Sequence, residues 1–144
     1  MKIRDILSHK GTDVVTITRD ATVHAAVQIL VENNIGAVLV MDGSDIAGIL
    51  SERDILRVSA QDPAYLLGQS VGDVMTKEVV TGAPDDQISH VMELMTNHRI
   101  RHLPIVDGAS LEGILSIGDV VNALRTEVEG ENRYMREYIQ GETR

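Results

Sequence analysis

Two short spans of this sequence set a hydroxyl three positions ahead of a carboxylate: Ser51-Glu52-Arg53-Asp54 and Ser116-Ile117-Gly118-Asp119. Each follows the same apolar tripeptide, Gly48-Ile49-Leu50 and Gly113-Ile114-Leu115, and the two copies keep a constant spacing of 65 residues (51 to 116, 54 to 119). Each copy reads as a short buried strand running into a helix. A serine at a helix start places its hydroxyl beside backbone N–H groups that lack an intrahelical partner. That end of a helix favours an anion such as phosphate. A carboxylate one turn further in can accept both hydroxyls of a ribose. The same pattern is also a capping box, in which the two side chains satisfy the helix's own N–H groups. The box prefers Glu or Gln, whose length reaches back, whereas both copies carry Asp. A phosphate-and-ribose cradle and a helix cap are therefore the two readings.

The second group with chemical potential is His98-Arg99-Ile100-Arg101-His102, the densest positive patch in an acidic chain. His98 and Arg99 fall where a helix ends, and there cations meet the negative end of its dipole. Arg101 and His102 open an apolar strand, Leu103-Pro104-Ile105-Val106. Arg can grip a phosphate with its planar fork, and His would make such binding pH-dependent. The matching positions in the first copy are Gly36 and Ala37, so that copy lacks the basic pair. It carries Arg53 where the second copy has Gly118. Arg53 either reaches a phosphate above its junction or pairs with Glu52 or Asp54 at the surface.

The elements that must position these groups form a repeat. Ile3, Ile6 and Leu7 have helical spacing over a span too short to stand alone. Val14-Val15-Thr16-Ile17 reads as a strand. Thr22 caps a helix carrying Val23, Ala26, Val27 and Leu30, which Asn33-Asn34 ends. Ala37 to Met41 is a strand too apolar to have a solvated face. Asp42-Gly43 turns it into the returning strand, Ile46 to Leu50, and Ser51 starts a helix through about Val58. A polar connector follows, in which Pro63 opens a single turn. The pattern then restarts: Val79-Val80-Thr81 answers Val14-Val15-Thr16, and Ile88, Val91, Met92 and Met95 answer the first helix. Asp107-Gly108 answers the first turn. Further upstream, Asp73-Val74-Met75-Thr76 answers Asp5-Ile6-Leu7-Ser8, with three extra residues in the first copy. Each copy is a strand-helix-strand-strand-helix unit with faces to hide, so the expected object is a pair of copies packed together. The tail beyond Val121 reads as helical, with Val121, Leu124, Val128, Met135 and Tyr138 near heptad positions. Gly130 and Gly141 weigh against one continuous helix.

Composition narrows the chemistry. The chain has 144 residues, enough for a real core, and that core must be aliphatic because there are three Tyr and neither Phe nor Trp. A net charge of −9 disfavours nucleic acid, whose binding needs Lys and Arg to release counterions. Absence of Cys removes disulfide and thiolate chemistry. The five His show no zinc-ligand spacing. No phosphate-binding loop of the G-x-x-x-x-G-K-[ST] type and no nucleophile elbow is present. No apolar run approaches the roughly 20 residues of a membrane span, and the first 20 residues are too polar for a signal peptide. A cytoplasmic protein that is not an enzyme, with no metal and neither nucleic-acid nor membrane partners, is expected.

The doubled Gly-Ile-Leu-Ser-x-x-Asp, the apolar strand ahead of each Asp-Gly turn and the Asp-Val-Met-Thr run at 73–76 resemble CBS domains, the modules named after cystathionine β-synthase. Their tandem arrangement resembles a Bateman module, and the resemblance covers about residues 1–125. It implies an α/β (α+β) fold of two tandem CBS domains, each a small three-stranded sheet with two helices, packed as a pseudo-two-fold pair with a C-terminal helix added. The boundaries expected are 1–60 for the first domain, 61–70 for a linker, 71–126 for the second and 127–144 for the tail. Such pairs commonly bind adenosine-containing ligands and regulate an attached or associated protein. The resemblance assigns ribose to Asp119 and Asp54, and phosphate to Ser116 and Ser51. The basic pair of the kinase gamma subunit that senses AMP is similar to Arg101 and His102, in the reverse order. Arg53 joins the phosphate set. By the same analogy the adenine lies against Val80, Thr81, Ile100, Pro104 and Ile114. Inosine monophosphate dehydrogenase also carries such a pair, but its barrel needs about 250 residues, for which this chain has no room. The implied function is a regulatory module that senses an adenine nucleotide (AMP or ATP foremost), without a further cofactor. It would work as a homodimer and modulate an unidentified protein, with one good site on the second copy. The rival is a ligand-free structural or protein-interaction module.

Overall fold

The computed structural model describes residues 1–64 and 66–142. In chain order the elements are α1 (Ile3–Lys10), β1 (Thr16–Thr18), α2 (Val23–Asn33), β2 (Ala37–Asp42), β3 (Asp45–Ser51), α3 (Glu52–Gln61), a 3-10 turn at Leu66–Gly68, α4 (Val71–Val74), α5 (Ile88–His98), β4 (His102–Asp107), β5 (Ser110–Ser116) and α6 (Ile117–Glu142). They form two compact units. One is Asp13–Val80; the other joins Met1–Thr12 to the chain from Thr81 onward.

In the unit Asp13–Val80, β1 pairs parallel with β2, and β2 pairs antiparallel with β3 through the Asp42-Gly43 turn. Gly43 sits at φ 63, in the left-handed region that a tight hairpin needs. Thr22 caps α2 by accepting from the Ala25 N–H at 3.1 Å. Asn34 ends α2 in the left-handed conformation, at φ 52. Val23, Ala26 and Leu30 from α2 meet Val38, Val40 and Leu50 from the sheet. Leu66, Val71, Val74 and Met75 close the same core. The expected single turn at Pro63 appears a few residues later, as the 3-10 turn at Leu66–Gly68.

The other unit repeats this plan with one strand fewer. β4 and β5 pair antiparallel, with register Leu103↔Leu115 and Ile105↔Gly113. The expected strand at Val79-Val80-Thr81 does not form; a single parallel bridge, Gly82↔Ile105, stands where Ile17↔Val40 pairs in the first sheet. Gly82 replaces the apolar Ile17, and a Cβ there would come within 2.9 Å of Leu103 and 3.2 Å of Ile105. Pro84, two residues on, has no N–H to extend a ladder. α1 belongs to this unit by backbone bonds: Ile3 N–H to Asp86 O at 3.0 Å and Arg4 N–H to Pro84 O at 2.8 Å. An ion pair between Arg4 and Asp85 at 2.7 Å adds to them.

The leading segments are thus exchanged. The helix that opens the first repeat packs with the second repeat's sheet, and α4, which opens the second, packs with the first. Sequence repeats and compact units therefore have different boundaries. Each segment presses on a glycine of the Gly-Ile-Leu-Ser run. A Cβ on Gly113 would meet Leu7 Cδ2 at 2.8 Å, and one on Gly48 would meet Met75 Sδ at 2.6 Å and Thr76 O at 2.7 Å. α6 runs unbroken through Gly130 and Gly141, the residues expected to interrupt it. No helix among the described residues is long and apolar enough to cross a membrane.

Candidate functional site

At the second junction, β5 ends at Ser116 and α6 begins at Ile117. The Ser116 N–H donates to Asp119 Oδ2 at 2.8 Å, and the Asp119 N–H donates to Ser116 Oγ at 3.1 Å. The capping box thus forms with Asp, whose shorter side chain still reaches back. The Ile117 N–H donates to Arg101 O at 2.8 Å. That bond draws the basic pair to the start of the helix. His102 stands opposite Ser116 on the β4–β5 ladder, and Pro104 stands opposite Ile114. Directly opposed residues, and those two apart, share one face of a sheet. His102, Pro104, Ile114 and Ser116 therefore line a single face, on which Pro104 is buried and the other three are half-buried. The opposite face, with Leu103, Ile105 and Leu115, is wholly buried core.

A residue that the sequence did not single out completes this junction. Lys10, in the last turn of α1, donates to Ile114 O at 2.7 Å and pairs with Asp119 Oδ2. The bonds to Asp119 thus fall on one oxygen, and Oδ1 stays outside the Ser116–Lys10 network. The Asp119 side chain keeps 27% of its surface exposed. Burial on its own raises the Asp119 pKa. The hydrogen bonds from Lys10 and Ser116, with the Lys10 charge, outweigh that and hold the carboxyl below its ordinary value.

The first junction is built from the same parts and filled differently. Asp54 Oδ2 accepts from the Ser51 N–H at 2.9 Å and from Ser51 Oγ at 3.1 Å, while Asp54 N–H donates to Ser51 Oγ at 3.3 Å. Asp54 Oδ1 accepts from Thr76 Oγ1 at 2.8 Å and from an Arg57 guanidinium nitrogen at 3.1 Å. A carboxylate offers about four acceptor positions, and the protein's own groups take all of them. Only 8% of the Asp54 side chain is exposed. The Glu52 N–H donates to Gly36 O at 3.0 Å, the counterpart of Ile117 and Arg101. Thr76 reaches Asp54 because its backbone pairs with Ile49 in both directions, at 3.0 and 2.9 Å.

The remaining sequence candidates are placed as follows. Arg53 is exposed in the first turn of α3, and the ion pair to Asp54 comes from Arg57, one turn further on. Ile100 is half-buried behind Arg99, which ends α5 in the left-handed conformation at φ 55. Thr81 is exposed and Val80 half-buried, in the stretch where no strand forms. Gly82 N–H donates to Pro104 O at 2.9 Å and ties that stretch to the face carrying Pro104. A separate groove of about 170 Å³ lies between Met1, Ile88 and Leu124. It is smaller than the roughly 300 Å³ at which small-molecule pockets begin, and Glu127 and Glu131 give it the wrong charge for a phosphate. Among the described residues, no cluster of His, Cys, Asp and Glu could hold a metal ion.

The CBS domain family matches residues 3–61 and 71–126, most of the chain. The chain belongs to the CBS-domain family. A CBS domain-containing protein of Arabidopsis thaliana, the mitochondrial CBSX3, is 36% identical over 148 residues, covering 96% of this chain and 72% of that one. The crystal structure of the CBS-domain protein ATU1752 from Agrobacterium tumefaciens superposes with a TM-score of 0.83 at 41% identity, covering 85% of this chain and 98% of that chain. The CBS domain pair of protein MJ0100, in complex with 5-methylthioadenosine and S-adenosyl-L-methionine, shares the fold with a TM-score of 0.78 at 24% identity, over 88% of this chain and 98% of its own.

Proposed function

We propose that this CBS pair is a regulatory module that binds an adenine nucleotide at the second junction and passes its occupancy to a partner protein. Asp119 takes the ribose diol, one hydroxyl on Oδ1 and the other on Oδ2 in place of Lys10. Ser116, Arg101 and His102 surround the phosphate. Pro104, Ile114, Thr81 and Ile100 offer the apolar and backbone contacts for the base. The observation that carries this reading is the unequal filling of the two carboxylates. Asp54 is buried with its acceptor positions taken, whereas Asp119 is half-buried with its bonds on one oxygen. Asp119 also adjoins a half-buried ladder face headed by a basic pair. That MJ0100 holds adenosine derivatives fits the ligand class. The first junction favours the structural reading for its own half: Ser51 and Asp54 there serve as a helix cap and a tie to Thr76. Regulation follows if the ligand binds one arrangement of the protein better than another.

Thermal unfolding of the purified protein with AMP, ADP, ATP, NAD, S-adenosylmethionine and GTP tests this. A ligand at about 100 times its dissociation constant adds roughly 2.7 kcal/mol to the native state. Stabilisation by adenine ligands, lost in Asp119→Ala and kept in Arg53→Ala, supports the reading. No stabilisation by any of them at millimolar concentration leaves the interaction module in its place.

The module is expected to work as a homodimer through α6. Val121, Val128 and Met135 recur every seven residues on that helix and are exposed, with Tyr138 and Ile139 beyond them. Glu127, Glu129 and Glu131 precede Arg133 and Arg136, so an antiparallel second copy sets acidic against basic turns and Val128 near Met135. Sedimentation of the Val128→Glu variant as a monomer beside a dimeric wild type is the expected result, and a wild type that is monomeric at high concentration contradicts it.

A further inference from the structure

We infer that Lys10 is a phosphate-selecting latch: it holds Asp119 in the ligand-free protein and moves to the phosphate when a ribose takes the carboxylate. This rests on the assignment of ribose to Asp119. Three features carry it. First, the ammonium sits where the ligand would have to act, on Asp119 Oδ2 and on Ile114 O at 2.7 Å. It is the only cation that the ion pairs among the described residues place on this carboxylate. Second, the contact is releasable. Lys10 ends α1, Gly11 breaks the helix immediately after it at φ 97, and a third of its side chain is exposed. Such partly solvated pairs are weakly held, and an ammonium on a flexible stem can swing between acceptors. Third, the charges balance only for a charged ligand. A ribose diol is neutral, so when it takes the carboxylate it leaves Lys10 without its counter-charge. A phosphate beside Ser116 and Arg101 restores that charge; a nucleoside cannot. The exchange thus penalises adenosine and favours nucleotides, which is discrimination built on an unpaired group in the wrong complex.

The first junction has no such device. The counterpart contact there is the neutral hydroxyl of Thr76, whose backbone is fixed by its bridge to Ile49. The three extra residues at the start of the first repeat are what separate the two. They carry α1 on to Lys10, where the other leading segment has already turned extended at Met75.

Calorimetric titration of adenosine, AMP and ATP into wild type, Lys10→Met and Lys10→Arg tests the inference, with unliganded melting curves to confirm folding. Lys10→Met is expected to weaken AMP and ATP about tenfold, the scale of one charge-assisted phosphate contact. Adenosine should bind Lys10→Met as well as or better than wild type, and Lys10→Arg should keep most of the preference for AMP. Equal weakening of adenosine and AMP in Lys10→Met, or no change in either, overturns the latch while leaving the site. A wild type that binds none of the three overturns the site itself. If Lys10→Met does not fold, Lys10→Gln, which keeps a donor for Ile114 O, replaces it with the same expected outcomes.

Discussion

In both repeats a serine and an aspartate bind each other across one turn, and the first helical N–H is taken by the residue ahead of the neighbouring strand. The backbone of the two junctions is nearly interchangeable. What differs is the segment laid across each from the other repeat. At Asp54 that segment is extended, bonded to Ile49 through its backbone, and offers a neutral threonine. At Asp119 it is the end of a helix, bonded through one lysine side chain. The Asp54 carboxylate is closed by neighbours whose backbone is fixed, whereas the Asp119 carboxylate meets one partly exposed lysine side chain. The two copies of one motif thus hold their carboxylates differently, and the difference arises in the leading segments rather than in the motif.

The largest effect that can break this contrast is removal of each carboxylate. Asp54→Ala removes a helix cap and the bonds to Thr76 and Arg57 at a buried carboxylate, while the two freed partners reach water, and should cost about 2–3 kcal/mol. Asp119→Ala loses a cap and a partly exposed ion pair, at about 1 kcal/mol. It should abolish AMP binding, which Asp54→Ala should leave intact wherever the variant remains folded. Urea unfolding of the two variants reads the stability part, and equal losses would contradict the division of roles.

The glycines under the leading segments come next. A Cβ at Gly48 meets a backbone oxygen, Thr76 O, that is fixed by its bridge, whereas one at Gly113 meets only the tip of Leu7. Gly48→Ala should therefore cost about 2 kcal/mol or more and Gly113→Ala about 1 kcal/mol or less, on the scale of overpacked cores. Denaturation midpoints in the reverse order would mean that the leading helix α1 is the less yielding of the two.

Much of this was legible beforehand, and the parts that were not share a cause. The helical spacing of Val23, Ala26 and Leu30, the Thr22 cap, the Asp-Gly turns and the doubled Gly-Ile-Leu-Ser-x-x-Asp are local patterns, and the structure shows each of them as an element. The missing third strand of the second sheet follows from Gly82 standing at the position of Ile17. Composition could have signalled that loss, but the valines beside it read as a strand. The exchange of leading segments left no local trace, because Ile3, Ile6 and Leu7 state that a face is buried without stating against what. Lys10 lies 109 positions from Asp119 and Thr76 lies 22 from Asp54. The three-residue difference between the copies, and the basic pair carried by the second alone, hinted that their surroundings were unequal. The helix α6 continues through Gly130 against a propensity penalty of about 1 kcal/mol, and since Gly130 and its neighbours are exposed, no packing explains it.

A milder cut at the first junction is Thr76→Val, which keeps shape and removes the hydroxyl. Asp54 Oδ1 retains Arg57, so the loss should be about 1.5 kcal/mol, the low end for one hydrogen bond to a charged acceptor. A stability equal to wild type would show that the bridge to Ile49, rather than the hydroxyl, is what closes this junction.

The smallest effect is the most specific to the second junction, because it depends on proton activity. The Asp119 carboxyl titrates below its ordinary value, burial notwithstanding, because Lys10 and Ser116 favour the charged form. A carboxyl depressed in the folded state contributes stability that is fully present above the unfolded value of about 3.9 and is lost as pH falls through the folded value. In Lys10→Met the ammonium is gone and burial remains, so the folded value should rise and the acid loss should begin at higher pH. The difference amounts to about 1 kcal/mol or less for a pair this exposed. Urea midpoints measured from pH 7 down to pH 3 for wild type and Lys10→Met should agree near neutrality apart from a constant offset and diverge only in acid. Curves that stay parallel throughout would mean that Lys10 stabilises the junction through the Ile114 carbonyl alone, and that Asp119 feels no charge from it.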